Sequence, residues 1–387
     1  MSNGLNVITG GKGYVGFALV KELEARGEKM RLLLRTDSPY FDGIECEKFM
    51  GDVTDPEQLE KAFEGAETVY HIAGIVDLTG TKDKQVWNVN YEGTKNVVAA
   101  CKKCGVKTLI YCSSVDAIPV REDMNVIREI RNFDPDLLEG AYAKSKACAT
   151  QYVLDNADEN LKICVVHPSC CLGPYDNNDT SSIGTMIRLF LKGLFPVSLD
   201  FGGYNFVDVR DVAKGMISAA EKGRNGECYI LSGYAHTVDE FIRTLAYICD
   251  KNAPKLKLKK SLILKFLPQI EMVFDILKLP PVLNEYSIRK ICENCNFSFF
   301  KAKTELGYYP MTLEESLKDT VEWMRLKELN EKEKEAQEET YKKFKEDFEK
   351  IEKELQIEQE KIKEKYSKKK EKIEEKARKE FEKFKKD

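Results

Sequence analysis

The stretch TGGKGYVG, residues 9–16, decides the fold of this chain. It lies between an apolar run typical of a strand and a stretch typical of a helix, and its glycines are Gly10, Gly13 and Gly16. Gly10 permits a tight turn, Gly13 lets a pyrophosphate approach the backbone, and Gly16 lets the helix pack against the strand. The backbone amides at the positive end of the helix dipole can then hold phosphates. We expect a dinucleotide site at this turn.

Outward from this turn, apolar runs alternate with helical stretches. The strand-like runs are 5–8, 30–34, 68–72, 108–112 and 163–166, and the helical stretches are 15–26, 55–63, 85–104 and 142–156. Because the runs are apolar without alternation, they predict strands that are covered on both faces. We therefore predict an α/β protein with a Rossmann-type, doubly wound parallel sheet and right-handed crossovers.

The rest of the chain suggests two further parts. We predict a dinucleotide-binding domain over 1–167, to which the strand-like run 228–231 returns, and a smaller, mainly helical, substrate-facing domain over 168–326. A charged helical tail, 327–387, follows it and contains neither glycine nor proline.

The last 44 residues of the tail divide into four blocks of eleven, and Ile351, Ile362, Ile373 and Phe384 occupy equivalent places in them. A period of eleven gives about 3.67 residues per turn, so these side chains form a nearly straight stripe. Two interpretations stay open. The tail is a single helix held by Glu–Lys pairs, or it associates with itself or a partner as a coiled coil through 344–387.

Composition excludes several classes of protein. The net charge is −4 and the basic residues are not gathered on the globular part, which argues against nucleic-acid binding. Residues 1–8 lack the features of a secretory signal, and no apolar run reaches the roughly 20 residues of a membrane span. The twelve cysteines include two CxxC pairs, 101/104 and 292/295, but we expect thiols in a reducing cytoplasm and no metal.

Residues 255–283 combine lysines with a dense apolar stretch. Pro268, Glu271 and Asp275 argue against a membrane span. The part 261–279 can lie on a membrane surface, but a helix that closes a hydrophobic substrate cleft is the simpler interpretation.

The chemistry is indicated by AYAKSKA, in which Tyr142 and Lys146 are four residues apart and share a helix face. A free tyrosine is a poor acid or base at neutral pH, and an adjacent ammonium lowers its pKa towards the working pH. Ser113 and Ser114 end the preceding strand, at the carboxyl edge where such sheets bind ligands. The order of these features predicts an active site.

These motifs resemble the extended short-chain dehydrogenases/reductases of the NAD-dependent epimerase/dehydratase superfamily, over about residues 3–325. The turn at 9–16 matches TGxxGxxG, GDVTD at 51–55 resembles the adenine-side motif, and YCSS and YAKSK match the catalytic serine and YxxxK. HPSCCLGP is similar to RPxxxxGP, and FVDVRDVA to FxxVxDVA. The segment 297–323 is similar to the ending of members that resemble dihydroflavonol reductase and 3β-hydroxysteroid dehydrogenase.

The resemblance implies hydride transfer between a nicotinamide and a carbonyl or carbinol carbon. Tyr142 would carry the proton, Lys146 would lower its pKa and bind the nicotinamide ribose, Ser114 would hold the reacting oxygen, and Asn90 would join the proton relay. The cofactor-binding residues would be Gly10, Gly13, Tyr14, Val15, Gly16, Arg35, Asp52, Val53, Ala73, Lys146 and Pro168. His71 and His167 depart from the family pattern, and we expect both to be packed and hydrogen-bonded rather than catalytic.

The end of the second strand, LLLRTDS, bears on the choice of cofactor. Arg35 can clasp a 2′-phosphate with help from Lys12, which favours NADP. Asp37 lies two residues further on and keeps NAD open.

Three functions remain in competition. The first is an oxidoreductase that acts on an apolar small-molecule ketone or alcohol, the second is a nucleotide-sugar epimerase or dehydratase, and the third is a cofactor-binding sensor or scaffold whose tail recruits partners. A dehydratase favours an adjacent acidic pair after the serine, whereas Ser114 is followed by Val115 and Asp116. The complete Ser114, Tyr142 and Lys146 set argues against a role in binding alone.

Overall fold

Twelve strands are found among the residues that this computed structural model describes, namely 4–384 without 78–79, 121–124, 180, 196 and 277–284. The side chains of 270–271, 273–276, 285–286 and 380–384 are also left undescribed. The strands are β1 Leu5–Thr9, β2 Met30–Leu34, β3 Glu47–Met50, β4 Ala66–His71, β5 Thr108–Cys112, β6 Lys162–Pro168, β7 Cys170–Leu172, β8 Val197–Leu199, β9 Gly203–Asp208, β10 Glu227–Leu231, β11 Tyr234–Thr237 and β12 Leu256–Leu258.

Twelve α-helices lie between and after these strands in the described part of the chain. They are α1 Tyr14–Ala25, α2 Pro56–Phe63, α3 Asp83–Trp87, α4 Gly93–Cys104, α5 Ala141–Asp155, α6 Ser182–Leu191, α7 Val209–Lys222, α8 Val238–Ile248, α9 Lys260–Ile276, α10 Glu285–Cys292, α11 Phe300–Leu306 and α12 Leu313–Phe384. A π-helical turn, Asn88–Glu92, joins α3 to α4.

Seven of the strands form a parallel sheet in the order β10-β6-β5-β4-β1-β2-β3. The chain runs outward from β1 to β3 and then returns to the other side of β1 with β4, so the topological switch point lies between β1 and β4. This confirms the predicted doubly wound sheet, including the return of 228–231 as the edge strand β10.

Neighbouring residues of the central strands pack into different apolar cores. Val7 belongs to the core under α2, α4 and α5, whereas Ile8 belongs to the core under α1 and α7. Val69 and Tyr70 divide between the two cores in the same way. Both faces of the sheet are therefore buried, as the unbroken apolar runs predict.

The chain forms two compact units, Met1–Trp323 and Met324–Asp387. In the first unit, a three-stranded sheet, β11-β9-β7, and a two-stranded sheet, β12-β8, accompany the main sheet. The described part of the second unit continues α12 as one helix. Of the helices that the structure describes, none combines the length and apolar character that a bilayer span requires. Residues 277–279 of the apolar stretch and 385–387 of the tail lie outside the described residues.

The motif FVDVRDVA anchors the first turns of α12. The buried Asp208 carboxylate caps α7 by accepting the Arg210 amide proton at 2.8 Å and also accepts a hydrogen bond from the Ser316 hydroxyl. Asp211 accepts the Met311 amide proton at 2.7 Å. Because an uncompensated buried carboxylate is costly, these bonds hold α7 and the start of α12 together.

Candidate active site

The glycine turn lies at the switch point of the sheet. Gly10 has φ +77°, and a Cβ atom built on it would stand 2.6 Å from the amide nitrogen of Ala73, just after β4. A Cβ atom on Gly16 would stand 2.1 Å from the carbonyl oxygen of Gly10. Near a Cβ atom on Gly13, by contrast, that same oxygen at 3.3 Å is the only described atom within 4 Å apart from those of its chain neighbours. The turn is therefore tight on the protein side and open where a phosphate would approach, which fits a dinucleotide.

A second loop crosses the glycine turn. The Tyr14 hydroxyl donates to the Gly173 carbonyl at 2.6 Å, and the Asn178 side-chain amide donates to the Lys12 carbonyl at 2.9 Å. Gly173 belongs to HPSCCLGP and has φ +130°, and its added Cβ would stand 3.1 Å from Asp208. Three of the sequence motifs therefore meet at one place in the fold.

The end of β2 presents an exposed cation and an acid that is engaged in an ion pair. Arg35 is exposed. Asp37 accepts from the Lys48 ammonium at 2.9 Å, and the hydrogen bond from Lys48 lowers the pKa of Asp37. The Lys12 ammonium lies 3.2 Å from the Thr36 hydroxyl oxygen. The carboxylate of Asp37, which could accept a hydrogen bond from a ribose, is thus paired with Lys48, a residue that the sequence analysis did not single out.

The adenine-side motif forms a closed turn. The Asp52 carboxylate accepts the Thr54 amide and hydroxyl protons, both at 2.9 Å, and the Asn96 side chain donates to the Val53 carbonyl at 3.2 Å. These bonds fix the loop after β3 beside α4.

Tyr142 lies in the first turn of α5 and is 9 % exposed, as is Ser114 just after β5. Burial raises the pKa of Tyr142 well above its usual value, the Asp116 carboxylate adds to the rise, and a side-chain hydrogen bond with Ser114 opposes it. The sequence predicts a lowered pKa, but desolvation of the phenolate outweighs the other influences. Tyr142 is therefore a neutral phenol at neutral pH, placed against the Ser114 hydroxyl.

Lys146 lies one turn further along α5 and is buried. Its ammonium donates to the Cys112 carbonyl at 2.7 Å and lies 4.9 Å from the centre of the Tyr111 ring. Burial lowers the pKa of Lys146 to about 8. Burial is the largest influence on the pKa of Tyr142 in this arrangement, while the Lys146 ammonium is bonded to the end of β5.

Asn90 lies in the π-helical turn that interrupts the predicted helix 85–104. Its side chain accepts the Ile75 amide proton at 2.7 Å and donates to the Ile75 carbonyl at 2.9 Å and the Ser145 hydroxyl at 3.2 Å. A Cβ atom on Gly74 would stand 3.2 Å from Asn90 Oδ1 and 3.5 Å from Lys146 Nζ. The π-turn thus brings Asn90 and Lys146 to one side of the loop after β4, as such turns often do at functional sites.

His71 is packed and hydrogen-bonded, as expected. Its Nδ1 lies 2.7 Å from the Thr9 hydroxyl and its Nε2 lies 2.9 Å from the Thr94 hydroxyl, and Thr94 donates to the Asn90 carbonyl. Because the Thr94 hydroxyl proton is already donated to the Asn90 carbonyl, Thr94 can only accept from Nε2. Nε2 therefore carries the proton, and Nδ1 accepts from Thr9. Burial lowers the pKa of His71 to about 3, which keeps the ring neutral.

His167 supports the backbone of Ser114. Its Nδ1 lies 2.9 Å from the Ser114 carbonyl oxygen, an acceptor, so Nδ1 carries the proton. The ring stacks on Phe133 at 5.4 Å, and burial lowers the pKa of His167 to about 4. His167 is therefore packed as expected, and it also donates a hydrogen bond to Ser114, to which the resemblance assigns a catalytic role.

Asp116 and Lys290 are site residues that the sequence did not reveal. The Asp116 amide donates to the Ser114 hydroxyl oxygen at 3.1 Å, and the Lys290 ammonium of α10 lies 3.3 Å from the Asp116 carboxylate. Contact between two segments that are about 170 residues apart has no local signal in the sequence.

Cysteines and cavities give no second site. All twelve cysteines are thiols, and among the described residues no group of three or more His, Cys, Asp or Glu side chains is placed to hold a metal. Two cavities, of about 350 and 520 Å³, lie against β11 and the segment 291–300. None of Ser114, Tyr142 or Lys146 lines either cavity, so the chemistry of the residues, not cavity size, locates the candidate site.

Known proteins are similar to most of this chain. The model of the 3-beta hydroxysteroid dehydrogenase/isomerase family matches residues 7–259. A protein of Synechocystis sp. that is provisionally named dihydroflavonol 4-reductase is 30 % identical over 324 residues, which cover 82 % of this chain and 94 % of that protein. A 3-beta-hydroxysteroid dehydrogenase of Mycolicibacterium neoaurum is 27 % identical, with 79 % and 87 % covered.

Solved structures match this chain over a similar length. The crystal structure of gox2253 matches with a TM-score of 0.72 and 32 % identity, over 84 % of this chain and 98 % of that one. MoeE5 in complex with UDP-glucose and NAD matches with a TM-score of 0.66 and 20 % identity, over 84 % and 99 %. The second match shows the shared fold alone.

Proposed function

The chain belongs to the 3-beta hydroxysteroid dehydrogenase/isomerase family, whose members are NAD(P)-dependent dehydrogenases/reductases of the extended short-chain type, and we propose that Tyr142, Ser114 and Lys146 form its active site. The observation that carries the proposal is the meeting of Tyr142 and Ser114 at the carboxyl edge of the sheet, one strand away from the switch point that holds the glycine turn. A bound nicotinamide supplies or accepts the hydride.

The proposed mechanism follows from the state of each side chain. Tyr142 is a protonated phenol, so it donates a proton to the carbonyl oxygen during reduction. The Ser114 hydroxyl, held by the Asp116 amide on one side and by His167 through its own carbonyl, orients that oxygen. Lys146 and the Asn90 turn, both close to Gly74, would position the ribose beside the nicotinamide.

For the substrate we propose a small, apolar ketone or secondary alcohol. Support comes from relatives that are named for dihydroflavonol and hydroxysteroid chemistry. A nucleotide-sugar epimerase or dehydratase is the second candidate, and it is supported at the level of fold by MoeE5. A sensor or scaffold without turnover is the third, and the buried Tyr142–Ser114 pair argues against it.

For the cofactor we propose NADP, with NAD as the alternative. The exposed Arg35 is available for a 2′-phosphate, and Lys48 engages the neighbouring Asp37. The glycine turn, Tyr14, Val15, Asp52, Val53, Ala73 and Pro168 complete the proposed binding residues.

The remaining proposals concern organisation and location. We retain a dinucleotide-binding part over 1–167 with the strand 228–231, a substrate-facing part over 168–326 and a helical tail over 327–387. The twelve thiols support a cytoplasmic location. Exposed Leu262, Leu264 and Phe266 on α9 support peripheral membrane contact through 261–279, and the tail stripe supports self-association or docking through 344–387.

The proposed function is tested by incubating purified protein with NADPH or NADH and a matched panel of steroid and flavonoid ketones and nucleotide sugars. We expect oxidation of the nicotinamide only with apolar ketones. Conversion confined to nucleotide sugars would establish the second candidate, and product analysis detects it because epimerisation and dehydration consume no nicotinamide overall. Cofactor binding without conversion of any class would favour the third.

A further inference from the structure

The second unit exposes a regular apolar stripe. Six described members of the stripe in α12 are each more than half exposed, between 51 % and 73 %, namely Phe344, Ile351, Leu355, Ile362, Tyr366 and Ile373. Ala377 and Phe384 continue the series in the sequence. A helix of Glu–Lys pairs does not need these apolar side chains, so their regular placement calls for a surface that covers them.

The spacing of the stripe residues is the same from either end of the helix. Its members are seven and four residues apart in strict alternation, and the series is centred on Glu364. A second copy that runs in the opposite direction, with a two-fold axis at this residue, places Phe344 opposite Phe384 and Ile351 opposite Ala377. It also places Leu355 opposite Ile373, and Ile362 opposite Tyr366, so every member of the stripe meets an apolar residue.

The net charge of the segment changes sign at the same residue, Glu364. Residues 344–364 carry eight acidic and five basic side chains, whereas 365–384 carry nine basic and five acidic ones. The first half therefore has a net charge of −3 and the second half +4. Antiparallel pairing brings unlike halves together, whereas a parallel pair would set the run Lys368–Lys370 beside its own copy.

Individual pairs follow from the helical period. At about 3.67 residues per turn, Glu358 and Lys369 flank the same side of the stripe, as do Glu354 and Lys376. The two-fold axis then sets Glu358 of one copy beside Lys369 of the other, and Glu354 beside Lys376. Ile357, which is 53 % exposed, lies on the opposite face of the helix and outside the stripe.

We propose that residues 344–384 pair with a second copy of the chain as an antiparallel, nearly straight coiled coil centred on Glu364. This inference rests on the self-association proposed above and adds its direction and register. The paired segment is about 60 Å long. Because the stripe has only two apolar residues in every eleven, the association is weak and reversible.

Charge reversal tests the direction of pairing in the full chain. One variant carries Glu354→Lys and Glu358→Lys, the other carries Lys369→Glu and Lys376→Glu, and sedimentation velocity over a concentration series measures their association. Each variant alone should dissociate at a concentration about ten-fold higher than the wild type, because four like-charged contacts replace four ion pairs. An equimolar mixture should recover wild-type association, since acid and base then face each other again.

Stripe variants test the register and the existence of the association. Ile362→Ser with Ile373→Ser should abolish the tail-dependent association, whereas Ile357→Ser should leave it unchanged, with helicity followed by circular dichroism. If the wild type shows no association that the stripe variant weakens, the proposal of self-association itself is overturned. Sensitivity to the stripe without recovery in the mixture would overturn the antiparallel arrangement. Turnover on the ketone panel is measured in parallel, so that failure of the proposed enzymatic function is recognised separately.

Discussion

At the scale of single residues, the protonation state of Tyr142 sets the direction that the chemistry favours. Its pKa is raised well above the usual value, so the phenol stays protonated across the neutral range and can donate. Oxidation needs the phenolate instead. At pH values below the pKa, the phenolate fraction increases about ten-fold with each unit by which the pH rises. Reduction should therefore proceed at neutral pH, and oxidation should accelerate as the pH rises.

Replacement of Tyr142 by phenylalanine tests this role. The ring keeps its packing but loses the proton donor, so we expect turnover to fall by about 10²–10⁴-fold while cofactor affinity stays within about two-fold. Steady-state kinetics and fluorescence titration measure the two effects. Tyr152→Phe on the same helix is the control and should match the wild type. A Tyr142→Phe protein with most of the wild-type rate would remove Tyr142 from the proton relay.

Arg35 is expected to select the cofactor. Loss of a charge-assisted, two-pronged contact with a phosphate should weaken NADPH binding by about ten-fold to a hundred-fold in Arg35→Ala. Binding of NADH, which lacks that phosphate, should change little. Fluorescence titration with both cofactors measures the ratio, and Arg243→Ala on α8 serves as a control far from this strand end. Equal losses of both affinities, or a wild type that prefers NADH, would return the assignment to NAD.

The sequence predicted the residues of the proposed site but not the bonds that hold them. Gly10, Tyr142 and Lys146 are recognisable because local spacing alone places them. The bond from His167 to the Ser114 carbonyl and the ion pair between Asp37 and Lys48 join residues from separate strands and loops. Such contacts depend on the finished sheet, so spacing along the chain could not reveal them.

At the scale of elements, the contact between β1 and α1 depends on Gly16. A Cβ atom there would stand 2.1 Å from the Gly10 carbonyl oxygen, which is backbone and cannot turn away. Gly16→Ala should lower the free energy of unfolding by about 1–3 kcal/mol and weaken cofactor binding.

Gly11→Ala is the matched control, because its added methyl would meet side chains at an ordinary 3.6 Å. It should unfold at the same urea concentration as the wild type. Equal stability of the two variants would show that α1 does not need its close approach to β1.

The central strands and the edge strand β10 could be predicted, whereas the other edge strand, β3, could not. The strands β2 and β5 occur at the predicted bounds because buried parallel strands are continuous apolar runs. The edge strand β3, EKFM, was missed because it is largely exposed and has no such run. The predicted helix 85–104 is interrupted by the π-turn, since hydrophobic periodicity does not register one extra residue in a turn.

At the scale of the whole molecule, the tail should be separable from the enzyme. Truncation after Arg325 leaves the first compact unit, Met1–Trp323, complete. We expect the same melting temperature and turnover as the full chain, with loss of any assembly that depends on the tail. Light scattering, calorimetry and activity on both forms measure this. An insoluble or inactive truncated protein would show that the enzyme requires the tail for its own folding.

The buried bonds from Asp208 and Asp211 to the start of α12 also have a consequence for the order of folding during synthesis. The first unit cannot complete these bonds until residues 311–316 have been translated. A ribosome that adds about 5–20 residues per second then needs roughly 3–12 s for the 61 residues of the tail. The catalytic unit therefore has seconds in which to fold while the tail is being made, and helices that could pair between nascent chains emerge only afterwards.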